Sequence, residues 1–357
     1  MDDRYILWLS RINGVNRKIL LKLFEYFGDA RAVFHASRGE LEQAGFLNAQ
    51  NLQKILSAQN TDLIDGYLKQ IDKTTMRFIP FTADEYPALL KEIHVPPLGI
   101  YVSGTLPPRE SCMISMVGSR KCTEYGLSVA YRFSSELARA GLVIVSGMAR
   151  GVDSMSHRGA LDAGGITAAV LGCGADVCYP PENKVLMRRI QERGCIISEY
   201  PPGTKPALGY FPSRNRIISG MSRATVVVEA GRKSGTLITV DQALNEGREV
   251  MAVPGNITSK LSEGTNRLIR QGATPVTSSD DILEQLGLTV DLPIENTECA
   301  LAPAEKLVYD CIGLDPTAIE NIYDRLSSQP GELNYVLTLL EMRKLIRRLP
   351  GQRVVRI

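Results

Sequence analysis

The sequence predicts an α/β protein. A doubly wound, mostly parallel sheet is expected between a small all-α N-terminal domain and a C-terminal winged-helix-like domain. Three observations carry this. Apolar strand-like runs alternate with amphipathic helical stretches from Ser111 to about Leu288. Residues 1–60 show only helical apolar spacing. From Pro303 onward the pattern returns to helices and closes on a hairpin-like segment.

In residues 1–65, Ile6, Leu7 and Leu9, then Ile19, Leu20, Leu23 and Phe24, recur with helical spacing. The run Ile12-Asn-Gly-Val-Asn-Arg-Lys-Ile-Leu places a tight Gly turn between two helices and resembles a helix-hairpin-helix element. Leu41-Glu-Gln-Ala-Gly-Phe reads as a degenerate second copy. Such hairpins grip DNA phosphates, or serve as plain packing domains; the missing GxG favours packing. Residues 66–290 form the sheet domain. Its first strands are expected at Met76–Phe81 and Pro96–Gly104, among prolines that suit turns and edges. Further strands are expected at Met113–Val117, Leu142–Ser146, Ala168–Leu171, Cys195–Ser198, Thr225–Glu229, Glu249–Val253 and Pro275–Thr277. Helices are expected at Tyr125–Ala140, Asp153–Ala163, Lys184–Arg193 and Gly235–Glu246. Residues 291–301 lack sustained periodicity and read as a linker. Residues 302–357 hold three helical stretches and a terminal hairpin, with six basic and no acidic residues from Arg343 on.

The 357 residues carry a formal charge of only +2, so any affinity for nucleic acid must be local. The seven cysteines are scattered, with no CxxC pair, as in a reducing compartment. The N-terminus lacks a long apolar core and no apolar run approaches a membrane span. A cytoplasmic location without membrane contact is expected.

Five segments between Met116 and Gly255 concentrate Gly, Ser and Arg, and four of them follow or end strand-like runs. They deliver these residues to the carboxyl edge of a parallel sheet, where such folds bind ligands. Gly118, Ser119 and Arg120 supply close backbone approach, a hydroxyl and a phosphate fork. In Ser146–His157, Arg150 stands between glycines, Asp153 is a natural N-cap and His157 reads as structural or as a rim residue. Cys173 reads as a small buried thiol. Phe211 can stack on a base, Arg214 and Arg216 can hold phosphates, and Asn215 can read a base edge. The two arginines cannot share one helix face, so one has room to be structural, and at least one is expected at the ligand. Ser234, Gly235 and Thr236 open a helix whose N-terminus suits an anion. There is no GxGxxG, no GxxxxGK[ST], no HExxH and no paired Cys/His cluster. No cofactor, metal ion or catalytic residue is expected, and the chain reads as a binding protein and not an enzyme.

GSR (Gly118–Arg120), SGxARGxDxxxHxxAL (Ser146–Leu161), LGCGxDxxYPxEN (Leu171–Asn183), FPxRNRIISG (Phe211–Gly220), VVEAxxxSGTLxT (Val227–Thr239) and VPGN (Val253–Asn256) together resemble the DprA (Smf) DNA-processing family. The resemblance is dense over residues 80–288. It implies an extended Rossmann-like domain, homodimerisation, and binding of single-stranded DNA without sequence preference. It also implies loading of the RecA recombinase during natural transformation. Gly118, Ser119, Arg120 and Phe211–Arg216 carry over as DNA contacts, Arg150 less directly. Two other readings stay open. One is a nucleoside-phosphate-processing enzyme using Glu229 as base beside Ser234–Thr236. The other is a double-stranded DNA-binding regulator led by the C-terminal helices.

Overall fold

The computed structural model describes residues 3–288, 302–313, 315–326, 330–343 and 345–356; the expected linker at 291–301 lies outside the described residues. The chain opens with α1 (Asp3–Ser10), α2 (Arg17–Phe27), α3 (Ala30–His35), α4 (Arg38–Gln43), α5 (Ala49–Ala58) and α6 (Thr61–Asp72). Side chains of Asn16, Asp29, Ser37, Asn48 and Asn60 accept first-turn N–H groups and so start α2 to α6. Gly14, at φ 72°, makes the expected turn between α1 and α2.

The sheet domain begins with β1 (Arg77–Pro80), α7 (Ala88–Lys91) and β2 (Gly99–Gly104). It continues as β3 (Met113–Val117), α8 (Glu124–Arg139), β4 (Val143–Ser146), α9 (Val152–Asp162), β5 (Thr167–Leu171), α10 (Lys184–Arg193) and β6 (Cys195–Ser198). The chain then forms α11 (Tyr210–Gly220), β7 (Ala224–Val227), α12 (Thr236–Asn245), β8 (Glu249–Ala252), α13 (Glu263–Arg270), β9 (Thr274–Pro275) and α14 (Ser279–Gln285). The nine strands make one sheet in the order β1-β2-β6-β5-β4-β3-β7-β8-β9. Pairing is parallel from β6 through β9 and antiparallel on both sides of β2.

Both faces of the central strands are covered, as continuous apolar runs require. Met113 and Val117 of β3 join Ile217 and Ile218 of α11 and Val240 of α12 on one face. Ile114 and Met116, pointing the other way, join Phe133 of α8 and Val152 of α9. The chain steps outward from β3 to β6, then returns to lay β7 against β3. That reversal creates a topological switch point between β3 and β7, where the carboxyl-end loops part.

The seven strands expected after Ser111 are present with small boundary shifts. Phe211–Gly220, not among the expected helices, lies in the helix α11. Its buried face carries Arg214 beside Ile217 and Ile218, so a charge occupies an inward position and masks the helical period. The C-terminal unit holds α15 (Pro303–Asp310), β10 (Thr317–Ala318), α16 (Ile319–Leu326), α17 (Pro330–Met342), β11 (Ile346–Leu349) and β12 (Arg353–Arg356). Val308, Ile322, Leu337, Ile346 and Val354 form its own core, giving a winged helix.

Candidate functional site

A groove of about 760 Å³ opens at the switch point. Gly118, Ser119, Arg120 and Lys121 line it from the turn after β3, and Phe211, Arg214 and Asn215 from α11. Ser234, Gly235 and Thr236 line it from the start of α12. Arg120, Phe211 and Arg214 also border an adjoining hollow with Gly147, Arg150 and Tyr179. Ten of the eleven residues expected at the ligand thus gather along one sheet edge. Arg216 is the exception.

Backbone sterics shape the walls. A Cβ on Gly118 would lie 2.6 Å from Val152 Cγ2, and one on Gly151 would lie 2.4 Å from the Ser119 carbonyl oxygen. Gly151, at φ 74°, is the N-cap of α9, whereas the sequence suggested Asp153; that carboxylate sits inside the first turn instead. Ser119 Oγ accepts from the Lys121 N–H at 3.2 Å, and Ser234 Oγ from the Thr236 N–H at 3.2 Å. The ten-residue α12 thereby directs its positive dipole end toward the groove. Arg120 is exposed, with its guanidinium 5.5 Å from the Phe211 ring centroid. Phe211 also meets Tyr179 at 5.4 Å. Together these place a cation beside an aromatic pair at the mouth of both hollows.

Arg214 has a different task from the one its composition suggests. It is 4% exposed, and its Nη1 donates to the carbonyls of Gly147, at 2.9 Å, and Val170. Burial lowers its pKa to about 10, partly offset by the buried Asp153 carboxylate, whose own pKa burial raises. Arg214 therefore ties the ends of β4 and β5 to α11 and sets the floor of the groove. Arg216 is two residues on, about 200° around the helix. Its Nη2 lies 2.7 Å from Glu199 Oε1, outside the groove. The sequence expectation grouped Arg216 with the ligand contacts at this edge; the helix turns it away.

Arg150 is exposed and ion-paired with Glu182. His157 is fully buried: its Nδ1 is 2.7 Å from Thr167 Oγ1, and burial drives its pKa down to about 3. The Cys173 thiol is buried, donates to the Val177 carbonyl and has its pKa pushed up to about 11, mainly by burial. Glu229 is occupied structurally, accepting from Thr123 N at 2.8 Å and Thr123 Oγ1 at 2.6 Å to fasten the start of α8. Sequence reasoning missed Lys121, Lys233, Tyr179 and Leu208, which is 90% exposed at the groove. The two lysines were legible as neighbours of the Gly-Ser-Arg segments; Leu208 had no such signal. In the winged helix, Arg343, Arg347, Arg348 and Arg356 are each ion-paired, with Glu305, Glu124, Glu341 and Asp310.

The model of the family DNA recombination-mediator protein A matches residues 77–287, and that of the DprA winged helix domain matches residues 293–352. DNA processing protein DprA of Streptococcus pneumoniae is 42% identical over 289 residues, which is 79% of this chain and 97% of that protein. Its X-ray structure aligns with a TM-score of 0.71 at 34% identity over 79% of this chain and 97% of that one. A Helicobacter pylori DNA processing protein A, solved to give structural insight into its single-stranded DNA binding mode, aligns with a TM-score of 0.53 at 27% identity. That alignment covers 59% of this chain and 95% of that one. With the sheet domain and the winged helix both matched, the chain belongs to the DNA recombination-mediator protein A (DprA) family.

Proposed function

We propose that this protein binds single-stranded DNA without sequence preference in the switch-point groove and loads a RecA recombinase onto it during DNA uptake. The observation that carries the binding is the Arg120–Phe211 pair at the groove mouth, flanked by Lys121, Lys233 and the N-terminus of α12. Cations and a helix N-terminus suit phosphates, a half-buried aromatic lining the groove suits any base, and neither reads sequence. The Helicobacter pylori relative, solved for its single-stranded DNA binding mode, supports the same reading by analogy. The recombinase step rests on the family's mediator description. The protein acts by binding, as a homodimer in the cytoplasm, without turnover of the strand.

The test is a gel shift with single- and double-stranded oligonucleotides across a salt series. The single strand binds more tightly, and Arg120→Ala weakens it and flattens the log K against log salt slope by about 0.7. An unchanged slope removes Arg120 from the interface. Recombinase loading is tested by filament assembly on oligonucleotide precoated with a single-strand-binding protein, with and without this chain.

A further inference from the structure

The sheet edge does not end at the groove. The loops after β5 and β6 run side by side: Leu171 pairs with Ser198, Ser198 Oγ donates to the Cys173 carbonyl, and Gly174 N–H donates to the Thr204 carbonyl. Beyond them a cleft of about 740 Å³ separates the carboxyl end of β6 from the α1–α2 turn. Arg11, Arg17, Lys18 and Arg216 line it, and among its lining residues Glu199 is the sole carboxylate.

Two features point to an anionic, base-bearing ligand. Glu199 Oε1 takes both Arg17 Nε, at 2.8 Å, and Arg216 Nη2, at 2.7 Å. That group of two guanidiniums and one carboxylate is left with net positive charge, with the Arg216 Nη1 donor and the Glu199 Oε2 acceptor both buried without a partner. Tyr210 stacks on the buried Tyr200 with centroids 4.1 Å apart and planes at 25°. An aromatic held so firmly offers stacking at little entropic cost.

Tyr210 and Phe211 are consecutive in α11, yet Tyr210 lines the cleft and Phe211 the groove. We propose that the interdomain cleft is a second single-strand subsite: a strand leaving Phe211 passes Tyr210 and continues between the sheet domain and the helical domain. Its phosphates meet Arg11 and Lys18. This inference rests on the groove being the first subsite. It gives the helical domain, whose hairpin turn at Gly14 lines the cleft, a direct part in holding DNA.

The test compares oligonucleotides of ~5 and ~16 nucleotides, lengths that bracket one and several contacts. Wild-type protein binds the longer one more tightly. Tyr210→Leu and the double variant Arg11→Gln/Lys18→Gln lose at least about fivefold affinity for the longer oligonucleotide and leave the shorter one unchanged. Arg120→Ala weakens both, which separates failure of the cleft from failure of the groove. Lys18 is exposed but Arg11 is half-buried and donates to Gln70 Oε1 at 2.9 Å, so circular dichroism checks the fold of each variant. Photocrosslinking of the longer strand, substituted with iodouracil, yields adducts on the peptides of Tyr210 or of Tyr67, which also lines the cleft. Unchanged length dependence in both variants, or crosslinks confined to the groove, overturns the proposal. So does polyglutamate binding that needs Lys18 while oligonucleotide affinity does not.

Discussion

The Arg120 guanidinium lies 5.5 Å from the centroid of the Phe211 ring, joining the turn after β3 to the first turn of α11. The pair puts charge and stacking surface at one point on the sheet edge, although ninety residues of chain separate the two. Phe211→Leu keeps the apolar bulk and removes the π face. Single-strand affinity should then fall by about 1–3 kcal/mol, with little change in salt slope. Fluorescence anisotropy across a salt series checks both.

Arg214 and Asp153 are both buried and attract each other electrostatically, so removing the guanidinium leaves the carboxylate uncompensated and frees two backbone carbonyls. Arg214→Met is expected to lose about 3–5 kcal/mol of stability. Asp153→Asn in that background should cost less than it does alone, because the charge it removes is already unpaired. Urea unfolding midpoints of the three variants measure this.

Gly151 combines φ 74° with a backbone carbonyl where a Cβ would stand. Gly151→Ala should destabilise by more than about 1 kcal/mol, because neither the Ser119 carbonyl nor the α9 N-cap can yield without moving the Gly118–Arg120 turn. Thermal denaturation reads the loss, and weakened single-strand binding should accompany it.

His157 predicts a pH dependence. Thr167 Oγ1 donates its hydrogen to the Ile144 carbonyl at 2.6 Å, so His157 Nδ1 must be the donor to Thr167. Nε2 is left bare and buried, and protonating it would place a second cation near Arg214. The folded pKa, near 3, lies below the unfolded value of 6.5. The stabilisation is therefore complete above about pH 6.5 and is lost as pH falls toward 3, by up to about 1.4 kcal/mol per pH unit. His157→Leu should flatten that part of the curve relative to wild type, as measured by urea midpoints between pH 6.5 and 4.5.

The alternation of apolar runs and amphipathic helices by itself determined the sheet, its parallel core and the winged helix, because period and turn chemistry are local properties. It also determined that Gly118–Arg120, Arg150 and Ser234–Thr236 lie at one edge, since βα turns in a parallel sheet share an end. What only the tertiary structure decided is which arginine does what. Arg214 and Arg216 are alike in sequence, but α11 points one into the sheet, where carbonyls and Asp153 claim it, and the other toward Glu199. The same helix sets Tyr210 and Phe211 into different hollows, and the return of β7 to β3 opens the groove between loops far apart in the chain. Burial and direction depend on packing partners distant in sequence, and no local pattern encodes them.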